Sequence, residues 1–390
     1  MRQGVPHTKQ PIRWGMVGGG ATSNIGYSHR SAALRDRNFT LLAGAFDVDA
    51  ERGRALGQQL GVAPDRCYAN YREMFDAEAK RPDGVEAVTI ATPNSSHFEI
   101  SKAALEAGLH VVCEKPLCFT VAEAETLRDL ARTQRKIVGV AYGYSGYQMI
   151  EQARAMVANG DLGEVRLVNL QFAHGGGALP VEASSVAAQW RVDPRVAGPS
   201  FVLGDLGTHP IYLARTILPH LTIKRLLCAR QSFVKGRAPL EDNAVTLMEY
   251  DNCAFGTVWV SAVNAGASHS QKLRIVGSRA SLEWWDEHPN QLIIEATGEP
   301  QRVLDRASPY LYPQAREDDR IGGGHPEGYF DAWANLYARF AMAMEASDEN
   351  DAPRLANLRY ADVEAGLDGV RWVAACVRSA DAGGVWVDYV

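Results

Sequence analysis

The sequence predicts an N-terminal doubly wound α/β domain at residues 1–141 and a β-rich second domain at residues 142–390. Three observations indicate this architecture. Short apolar runs alternate with helix-like segments over the first third of the chain, as in right-handed βαβ units that build a parallel sheet. Three consecutive glycines end the first apolar run. Farther along, strand-like runs follow one another and are separated by polar turns, which is typical of hairpins.

The first domain reads as alternating strands and helices in chain order. Strands are predicted at 12–18, 40–46, 85–91, 109–113 and 136–141. Helices are predicted at 25–35, 49–60, 71–79, 96–107 and 120–134. Gly108 is a suitable C-terminal cap for the fourth of these helices. In such a sheet the carboxyl ends of the strands are expected to line one ligand crevice.

The second domain opens with a short helix, predicted at 151–158, and then becomes strand-rich. Strands are predicted at 164–173, 223–234, 244–250, 254–263, 271–276 and 280–285. Residues 327–345 predict an amphipathic helix whose aromatic stripe is expected to pack in the core.

Composition and charge exclude several classes of protein. The 390 residues are 46% hydrophobic and 22% charged, with a formal net charge of −6, as in ordinary globular domains. No basic face is expected for nucleic acid or an anionic membrane, and no apolar run reaches the roughly 18–20 residues that span a bilayer. No export signal is visible, and the six cysteines form no CxxC pair. Buried reduced thiols and a cytoplasmic location are therefore expected.

The first strand leads into the segment WGMVGGGATSNIG. Gly18 and Gly20 fit the first two glycines of a GxGxxG phosphate-binding turn, but Ser23 stands at the third position. Gly26 is a candidate for the close packing that the third glycine usually provides. Such a turn lets a helix N-terminus present N–H groups to a pyrophosphate. A tight turn that binds no ligand remains the alternative.

Polar residues follow the carboxyl ends of three predicted strands. Asp47 ends the second strand, where a carboxylate accepts hydrogen bonds from the ribose hydroxyls of an adenosine and repels a 2′-phosphate. NAD is therefore expected rather than NADP, although Asp49 lies close enough to take this role and a solvated strand-end acid is the alternative. Thr92-Pro93-Asn94 and Glu114-Lys115-Pro116 end two further strands.

Five motifs together resemble the glucose–fructose oxidoreductase/inositol dehydrogenase (Gfo/Idh/MocA) family. They are GMVGGG at 15–20, AGAFD at 43–47, TPNSSH at 92–97, EKPL at 114–117 and GDLGTH at 204–209. The resemblance implies an N-terminal Rossmann domain and a C-terminal domain with a large open, mostly antiparallel sheet. It also implies NAD(P)-dependent chemistry at a sugar or polyol carbon, a cis bond before Pro116, and homodimers or homotetramers. One departure is Tyr142-Gly143, which stands where many members carry His-Asn, so substrate preference is less transferable.

The candidate site residues fall into three groups. Lys115 is expected to stabilise the developing oxyanion, and His209 to accept the hydroxyl proton. Asp205, one helical turn before His209, is expected to orient substrate hydroxyls or the imidazole. The predicted cofactor-binding residues are Gly18, Gly20, Ala21, Asp47, Thr92, Pro93, Asn94, His97, Glu114, Lys115 and Pro116. The predicted substrate-binding residues are Tyr142, Tyr144, Trp190, Arg191, Asp205, His209 and His325.

These residues favour an NAD(P)-dependent dehydrogenase that acts on a sugar or an inositol-like cyclic polyol. One alternative is a glycosidase of the same family that uses NAD transiently, through oxidation and elimination. Another is a non-catalytic sensor that binds the nucleotide. No metal site is expected, because the histidines are scattered and no Cys/His ligand spacing is present.

Overall fold

The structure, a computed structural model, describes residues 6–180 and 189–389. It divides into two compact units. The parallel-sheet unit contains the described residues up to Gly143 together with Tyr329–Leu367. The large-sheet unit contains Tyr144–Gly328 and the described residues from Asp368 onward.

The parallel-sheet unit is built on five parallel strands in the order β2-β1-β3-β4-β5. The strands are β1 (Ile12–Gly18), β2 (Phe39–Ala45), β3 (Ala87–Ala91), β4 (His110–Cys113) and β5 (Val138–Val140). The helices between them are α1 (Asn24–Arg35), α2 (Ala50–Gln59), α3 (Tyr71–Glu78), α4 (His97–Glu106) and α5 (Val121–Gln134). Two short 3₁₀ turns occur at Pro64–Arg66 and Asn94–Ser96.

Local sequence explains where these elements begin and end. All residues of β3 and β4 are buried, because helices cover both faces of a parallel sheet. Thr120 and Glu123 form a capping box that starts α5, which satisfies N–H groups left unpaired at a helix start. Gly108 follows α4 with a φ of +76°, the conformation that a C-terminal glycine cap requires.

The large-sheet unit contains nine strands in the order β13-β12-β11-β10-β6-β9-β8-β7-β14. Strands β6 and β9 are parallel, and the other neighbours are antiparallel. The strands are β6 (Val165–Ala173), β7 (Ile223–Gln231), β8 (Asn243–Tyr250), β9 (Phe255–Ser261), β10 (Gln271–Gly277), β11 (Ala280–Trp285), β12 (Gln291–Ala296), β13 (Arg302–Asp305) and β14 (Val387–Asp388).

The remaining helices complete the two units. They are α6 (Gln148–Ala158), α7 (Pro194–Ala197), α8 (Thr208–Ile217), α9 (Pro313–Arg316), α10 (Tyr329–Asp348), α11 (Ala352–Asn357) and α12 (Val363–Asp381). Tight turns occur at Gly143–Gly146 and Trp190–Val192, and a π-helical turn at Leu203–Gly207.

This architecture confirms the predicted fold class. The predicted strands and helices are present with shifts of a few residues at their ends, and the aromatic residues Trp333, Tyr337 and Phe340 of α10 are buried. Strands β12, β13 and β14 and helix α12 were not predicted. Five of the six cysteines are buried free thiols, and Cys253 is exposed. Within the described ranges, no helix is both long and apolar enough to cross a bilayer.

Candidate active site

The glycine turn after β1 is fixed by contacts with α1. Gly18 and Gly19 have φ values of +77° and +68°, which favour glycine. A Cβ on Gly26 would lie 2.5 Å from the Cα of Gly19, so Gly26 provides the close packing of turn against helix. Ser23 caps α1, since its Oγ accepts the Gly26 N–H at 3.1 Å, which explains a serine at this position. Arg30 Nη1 donates to the carbonyl of Gly19 at 2.6 Å.

Asp47 lies beside this turn. A Cβ on Gly20 would be 3.0 Å from its Oδ2. Its Oδ1 accepts hydrogen bonds from Arg52 Nη2 and from the Asp49 N–H, each at 2.9 Å. The bond from Arg52 is the main cause that holds the pKa of Asp47 below its usual range. The carboxylate of Asp49 instead caps α2, where it accepts the N–H groups of Glu51 and Arg52. Asp47 is thus the acid that adjoins the glycine turn.

Two of the strand-end turns are joined by a buried histidine. His97 is fully buried, and its ring nitrogens lie 2.8 Å from the carbonyl oxygen of Pro116 and 2.9 Å from that of Thr92. Burial lowers the pKa of its imidazole. His97 therefore positions the turns after β3 and β4 from beneath. The Lys115–Pro116 peptide bond is cis, as the resemblance implies.

The turn after β4 rests on a buried polar chain. Glu114 is 6% exposed, and its Oε1 accepts a hydrogen bond from His29 Nε2 at 3.0 Å. His29 Nδ1 lies 2.6 Å from the hydroxyl of Tyr337, which lies 2.9 Å from the hydroxyl of Thr89. The other carboxylate oxygen of Glu114 accepts the Lys115 N–H at 3.2 Å. Because a carboxylate only accepts, these bonds fix the backbone that carries the half-buried Lys115.

The remaining predicted cofactor residues differ in exposure. Ala21 and Pro93 are exposed, Gly20 and Thr92 are half-buried, and Asn94 is buried.

In the large-sheet unit, Asp205 and His209 lie on one helical segment. Asp205 belongs to the π-helical turn and His209 to the first turn of α8; single π turns occur frequently at functional sites. The start of this segment is anchored by Glu241, whose Oε1 accepts the Ser200 hydroxyl at 2.5 Å and the Leu203 N–H at 3.1 Å. Burial raises the pKa of Glu241. Glu241 thus satisfies donors that a helix start leaves unpaired.

Aromatic rings and imidazoles surround His209. The ring of Tyr144 meets that of His209 edge-on, with centroids 4.9 Å apart. The Tyr144 hydroxyl lies 3.0 Å from His269 Nε2, and His269 Nδ1 is hydrogen-bonded to Asp286. Phe172 packs on His269 with centroids 4.5 Å apart. The structure therefore joins two predicted residues, Tyr144 and His209, with three that were not predicted.

Asp205 is part of a charged group in the same unit. Arg191 Nε donates to its carboxylate at 3.3 Å, and the guanidinium of Arg191 lies over the ring of Trp190 at 4.5 Å. Burial lowers the pKa of His174, and the negative charge of Asp205 opposes this shift. Three of the predicted substrate residues, Trp190, Arg191 and Asp205, therefore form one contact chain.

The last two predicted substrate residues, Tyr142 and His325, belong to different units. Tyr142 is buried in the parallel-sheet unit. His325 is exposed, on a segment that Arg306 anchors through ion pairs with Asp319 at 2.8 Å and Glu327 at 2.9 Å. Among the described residues, no group of three or more His, Cys, Asp or Glu side chains is placed to hold a metal ion.

Some of the missed residues carried a usable signal. Strands β10 and β11 were both predicted, and pairing them as a hairpin brings the residues before β10 opposite those after β11. This register places Gln271 beside Asp286 and brings His269 near the same carboxylate. His29 and Glu241 gave no such signal, because their partners are distant in sequence.

Comparison with known proteins accounts for this arrangement. Residues 12–142 match the family model described as "Oxidoreductase family, NAD-binding Rossmann fold". Residues 154–388 match the model described as "Oxidoreductase family, C-terminal alpha/beta domain". The chain belongs to the Gfo/Idh/MocA oxidoreductase family. The resemblance inferred from the five motifs is thus confirmed.

Individual relatives match nearly the whole chain. An uncharacterised oxidoreductase of Bacillus subtilis is 55% identical over 382 residues, 97% of each chain. The inositol dehydrogenase homologue of Azotobacter vinelandii in complex with NAD⁺ is 65% identical, with full coverage of both chains and a TM-score of 0.99. Its complex with NADH and myo-inositol is 64% identical over 99% of this chain and 100% of the other, with a TM-score of 0.96.

Proposed function

We propose that the chain is an NAD-dependent dehydrogenase that oxidises a hydroxyl-bearing carbon of a cyclic polyol of the inositol class. The observation that carries this proposal is the 64% identity, over nearly the entire chain, to a protein solved with NADH and myo-inositol. The broader activity, NAD(P)-dependent oxidoreduction of a sugar or polyol, is also that of more distant relatives such as levoglucosan dehydrogenase, which is 26% identical over 306 residues.

The parallel-sheet unit has features that fit a dinucleotide. The left-handed glycines leave no Cβ in the turn, and Gly26 keeps α1 packed close to it. This brings the N-terminus of α1 to the turn, where N–H groups and the helix dipole favour a pyrophosphate. The ionised Asp47 beside Gly20 would accept the ribose hydroxyls. When bound, NAD supplies the nicotinamide carbon that accepts a hydride.

The chain's own residues would supply the proton transfer and the charge stabilisation. His209 would accept the proton of the reacting hydroxyl, because an imidazole changes charge near neutral pH. The Lys115 ammonium would stabilise the negative charge that develops on the oxygen. Asp205, paired with Arg191, would accept hydrogen bonds from neighbouring substrate hydroxyls. In this division of labour, residues 1–141 hold NAD and residues 142–390 hold the substrate and the contacts between subunits.

Steady-state kinetics test the proposal. Purified protein with NAD and a panel of inositols and sugars is expected to produce NADH, which is followed by its absorbance. Lys115→Met and His209→Asn should abolish turnover while the far-UV circular dichroism stays unchanged. The matched controls are Lys102→Met, which removes a half-buried lysine of α4 that pairs with Glu106, and His220→Asn, at an exposed histidine. Both controls should keep wild-type rates.

Two outcomes would favour the alternative functions. Cleavage of a glycoside without net NADH would indicate a glycosidase that uses NAD transiently. Tight nucleotide binding with no turnover on any polyol, sugar or glycoside would indicate a sensor.

We also expect a homodimer or homotetramer in the cytoplasm. Leu167 of β6, Val245 of β8 and Val303 of β13 are exposed apolar residues of the large sheet, and an exposed apolar sheet face favours association. Buried free thiols are consistent with a reducing compartment. Analytical ultracentrifugation that finds monomers at micromolar concentration would contradict the assembly.

A further inference from the structure

A cavity of about 590 Å³ lies in the parallel-sheet unit, between α5, β5 and the segment from the end of α10 to the start of α12. Among the described residues that line it, none is proposed to bind NAD or the substrate. Its volume falls within the range of about 300–1,000 Å³ that small-molecule sites occupy. Apolar side chains, among them Ile137, Val138 and Leu355, form one part of its wall, and the other part is basic.

The basic part of the wall comes from one face of α5 and the turn that follows it. Arg128, Arg132, Arg135 and Lys136 all line the cavity. Arg132 lies four positions from Arg128 and from Lys136 and three from Arg135, and like charges at these spacings destabilise a helix. The dipole at a helix C-terminus favours cations, but it does not require them to border a cavity with an apolar wall. A bound anion would offset the repulsion within this cluster.

Two of the four cations are paired with acids. Arg128 donates to Asp129 at 2.9 Å, and Lys136 donates to Asp348 at 2.8 Å. Within the described part of the chain, no carboxylate lies within ion-pair distance of the guanidinium of Arg132, nor of the one that follows at position 135. These two guanidinium groups therefore supply the uncompensated positive charge of the cavity.

Arg135 adopts a backbone conformation that favours glycine. It follows α5 with a φ of +52° and a ψ of +44°, the left-handed region in which a helix commonly ends on glycine. Its Nη1 donates to the neutral amide oxygen of Asn350 at 3.2 Å. Both side chains are exposed, so water competes for this bond and it adds little to stability. The chain thus accepts a conformational cost at this position for a side chain that borders the cavity.

Two acidic residues also line the cavity, and both belong to the start of α12. Asp362 caps this helix, where its Oδ1 accepts the Ala365 N–H at 2.9 Å. Glu364 is exposed in the first turn. The N-terminal end of a helix stabilises acids at both positions. Their charges are thus offset by the helix end, whereas those of Arg132 and Arg135 face the cavity wall without an acidic partner.

We propose that this cavity binds a small phosphate monoester whose organic part is apolar or aromatic. Arg132 and Arg135 would hold the phosphate, because a guanidinium presents paired N–H donors that match its oxygens. Two guanidinium groups suit a dianion, the form that such an ester largely takes at neutral pH. Ile137, Val138 and Leu355 would contact the organic part. This site uses other residues than the proposed dehydrogenase reaction and does not depend on it.

Calorimetry of the NADH-loaded protein with phenyl phosphate tests the proposal. NADH is present because the glycine turn also favours phosphate and must be filled before a second site is measured. We expect one phenyl phosphate to bind per chain. Phenol, which lacks the charge, should bind at least about tenfold more weakly, since each hydrogen bond to a charged group contributes at least this factor. Inorganic phosphate should also bind more weakly, because it buries no apolar surface.

Two double variants locate the binding. Arg132→Gln combined with Arg135→Gln should weaken phenyl phosphate binding by at least about tenfold. The matched control, Arg37→Gln combined with Arg72→Gln, removes two exposed arginines elsewhere in the same unit and should keep the wild-type affinity. Both proteins have the same net charge, so the comparison separates a direct contact from general attraction of an anion.

Arg135→Gly separates a role in binding from a role in folding. Glycine adopts the left-handed conformation without the penalty of a Cβ, so urea unfolding should show a stability equal to or above that of the wild type, while the affinity for phenyl phosphate falls. A less stable Arg135→Gly protein would show that the arginine serves the fold and would overturn the proposal. Absence of saturable binding at millimolar phenyl phosphate, or equal losses in the two double variants, would also overturn it.

Discussion

Replacing Asp47 by alanine is expected to shift the cofactor preference from NAD toward NADP. Asp47 adjoins Gly20 of the glycine turn and is kept ionised by Arg52. Its carboxylate would bind the ribose hydroxyls of NAD and repel the 2′-phosphate of NADP. In the variant both effects disappear, and Arg52, whose side chain is 65% exposed, loses its partner at Asp47 and is available to a phosphate.

The size of the expected change in cofactor preference follows from the position of the Asp47 carboxylate. Hydrogen bonds to a charged group contribute about 1.5–3 kcal/mol. Two unit charges about 4 Å apart interact by about 1 kcal/mol in water and about 4 kcal/mol near a protein surface. Asp47 is 22% exposed at its side chain, which lies between these environments. The two lower values together give about 2.5 kcal/mol, or about a 60-fold change in the ratio of NAD to NADP affinity.

Fluorescence titration with NADH and NADPH measures this ratio, and kcat/KM with each oxidised cofactor provides an independent check. The matched control is Asp49→Asn, because asparagine also caps a helix and Asp49 caps α2. Asp49→Asn should leave the ratio unchanged. A ratio that stays constant in Asp47→Ala, or that shifts in Asp49→Asn instead, would refute the assignment of the ribose site to Asp47.

Three further perturbations test other parts of the structure. Gly26→Ala places a Cβ 2.5 Å from the Cα of Gly19 and should destabilise the protein by about 1–3 kcal/mol in urea unfolding, with weaker NADH binding. Glu241→Ala removes the acceptor at the start of the segment that carries Asp205; kcat/KM should fall at least about tenfold, with NADH affinity unchanged. Asp348→Asn should cost about 1 kcal/mol at pH 7 for this half-exposed acid, and the cost should vanish as the pH falls from about 4 to about 2.

The direction of the pH dependence expected for Asp348→Asn follows from the environment of the Asp348 carboxylate. Burial alone would raise its pKa, but hydrogen bonds and charge from His110 and Lys136 outweigh this and lower the pKa to about 2. When the pKa of an acid is lower in the folded state than in the unfolded state, the ionised acid stabilises the fold at pH values above the unfolded pKa. This stabilisation is lost as the pH falls through the folded pKa. A difference in stability between wild type and Asp348→Asn that is as large at pH 2 as at pH 7 would contradict this reasoning.

Matched control variants isolate the expected effects of Gly26→Ala and Glu241→Ala. Gly322→Ala adds a Cβ where no heavy atom lies within 4 Å, so its stability should match the wild type. Glu241→Gln keeps the oxygen that accepts the Ser200 and Leu203 donors and should keep most of the activity. Equal losses in Glu241→Gln and Glu241→Ala would mean that the charge, rather than the hydrogen bonds, supports the segment.

Local pattern was sufficient to predict the parallel sheet and most of the large sheet. Apolar runs that end in glycine or aspartate mark β1 and β2, and the alternation of elements gives their topology. Strand β13 has four residues and β14 two, too few for a period to show. Helix α12 contains two glycines, Gly366 and Gly369, and glycines weaken a helical pattern. Gly366 packs closely against Leu117 and Val140, where a Cβ would not fit.

The candidate site residues could be proposed from the sequence where they stand in a short motif. Lys115, Asp205 and His209 each stand in such a motif, and Tyr144 lies at the end of the first predicted domain. The residues that hold them are partners across long sequence distances: His29 reaches Glu114 across 85 positions. A single sequence contains no record of such pairs, because burial and hydrogen bonding are decided by the tertiary fold.

Transfer of an isotopic label tests the hydride reaction most directly. myo-Inositol deuterated at every ring carbon is incubated with the protein and NAD, and the reduced cofactor is examined by NMR. Deuterium at C4 of the nicotinamide, formed by the wild type and absent in His209→Asn, is the predicted result. Reduced cofactor without deuterium, or bound NAD that no labelled polyol reduces, would contradict the proposed dehydrogenase.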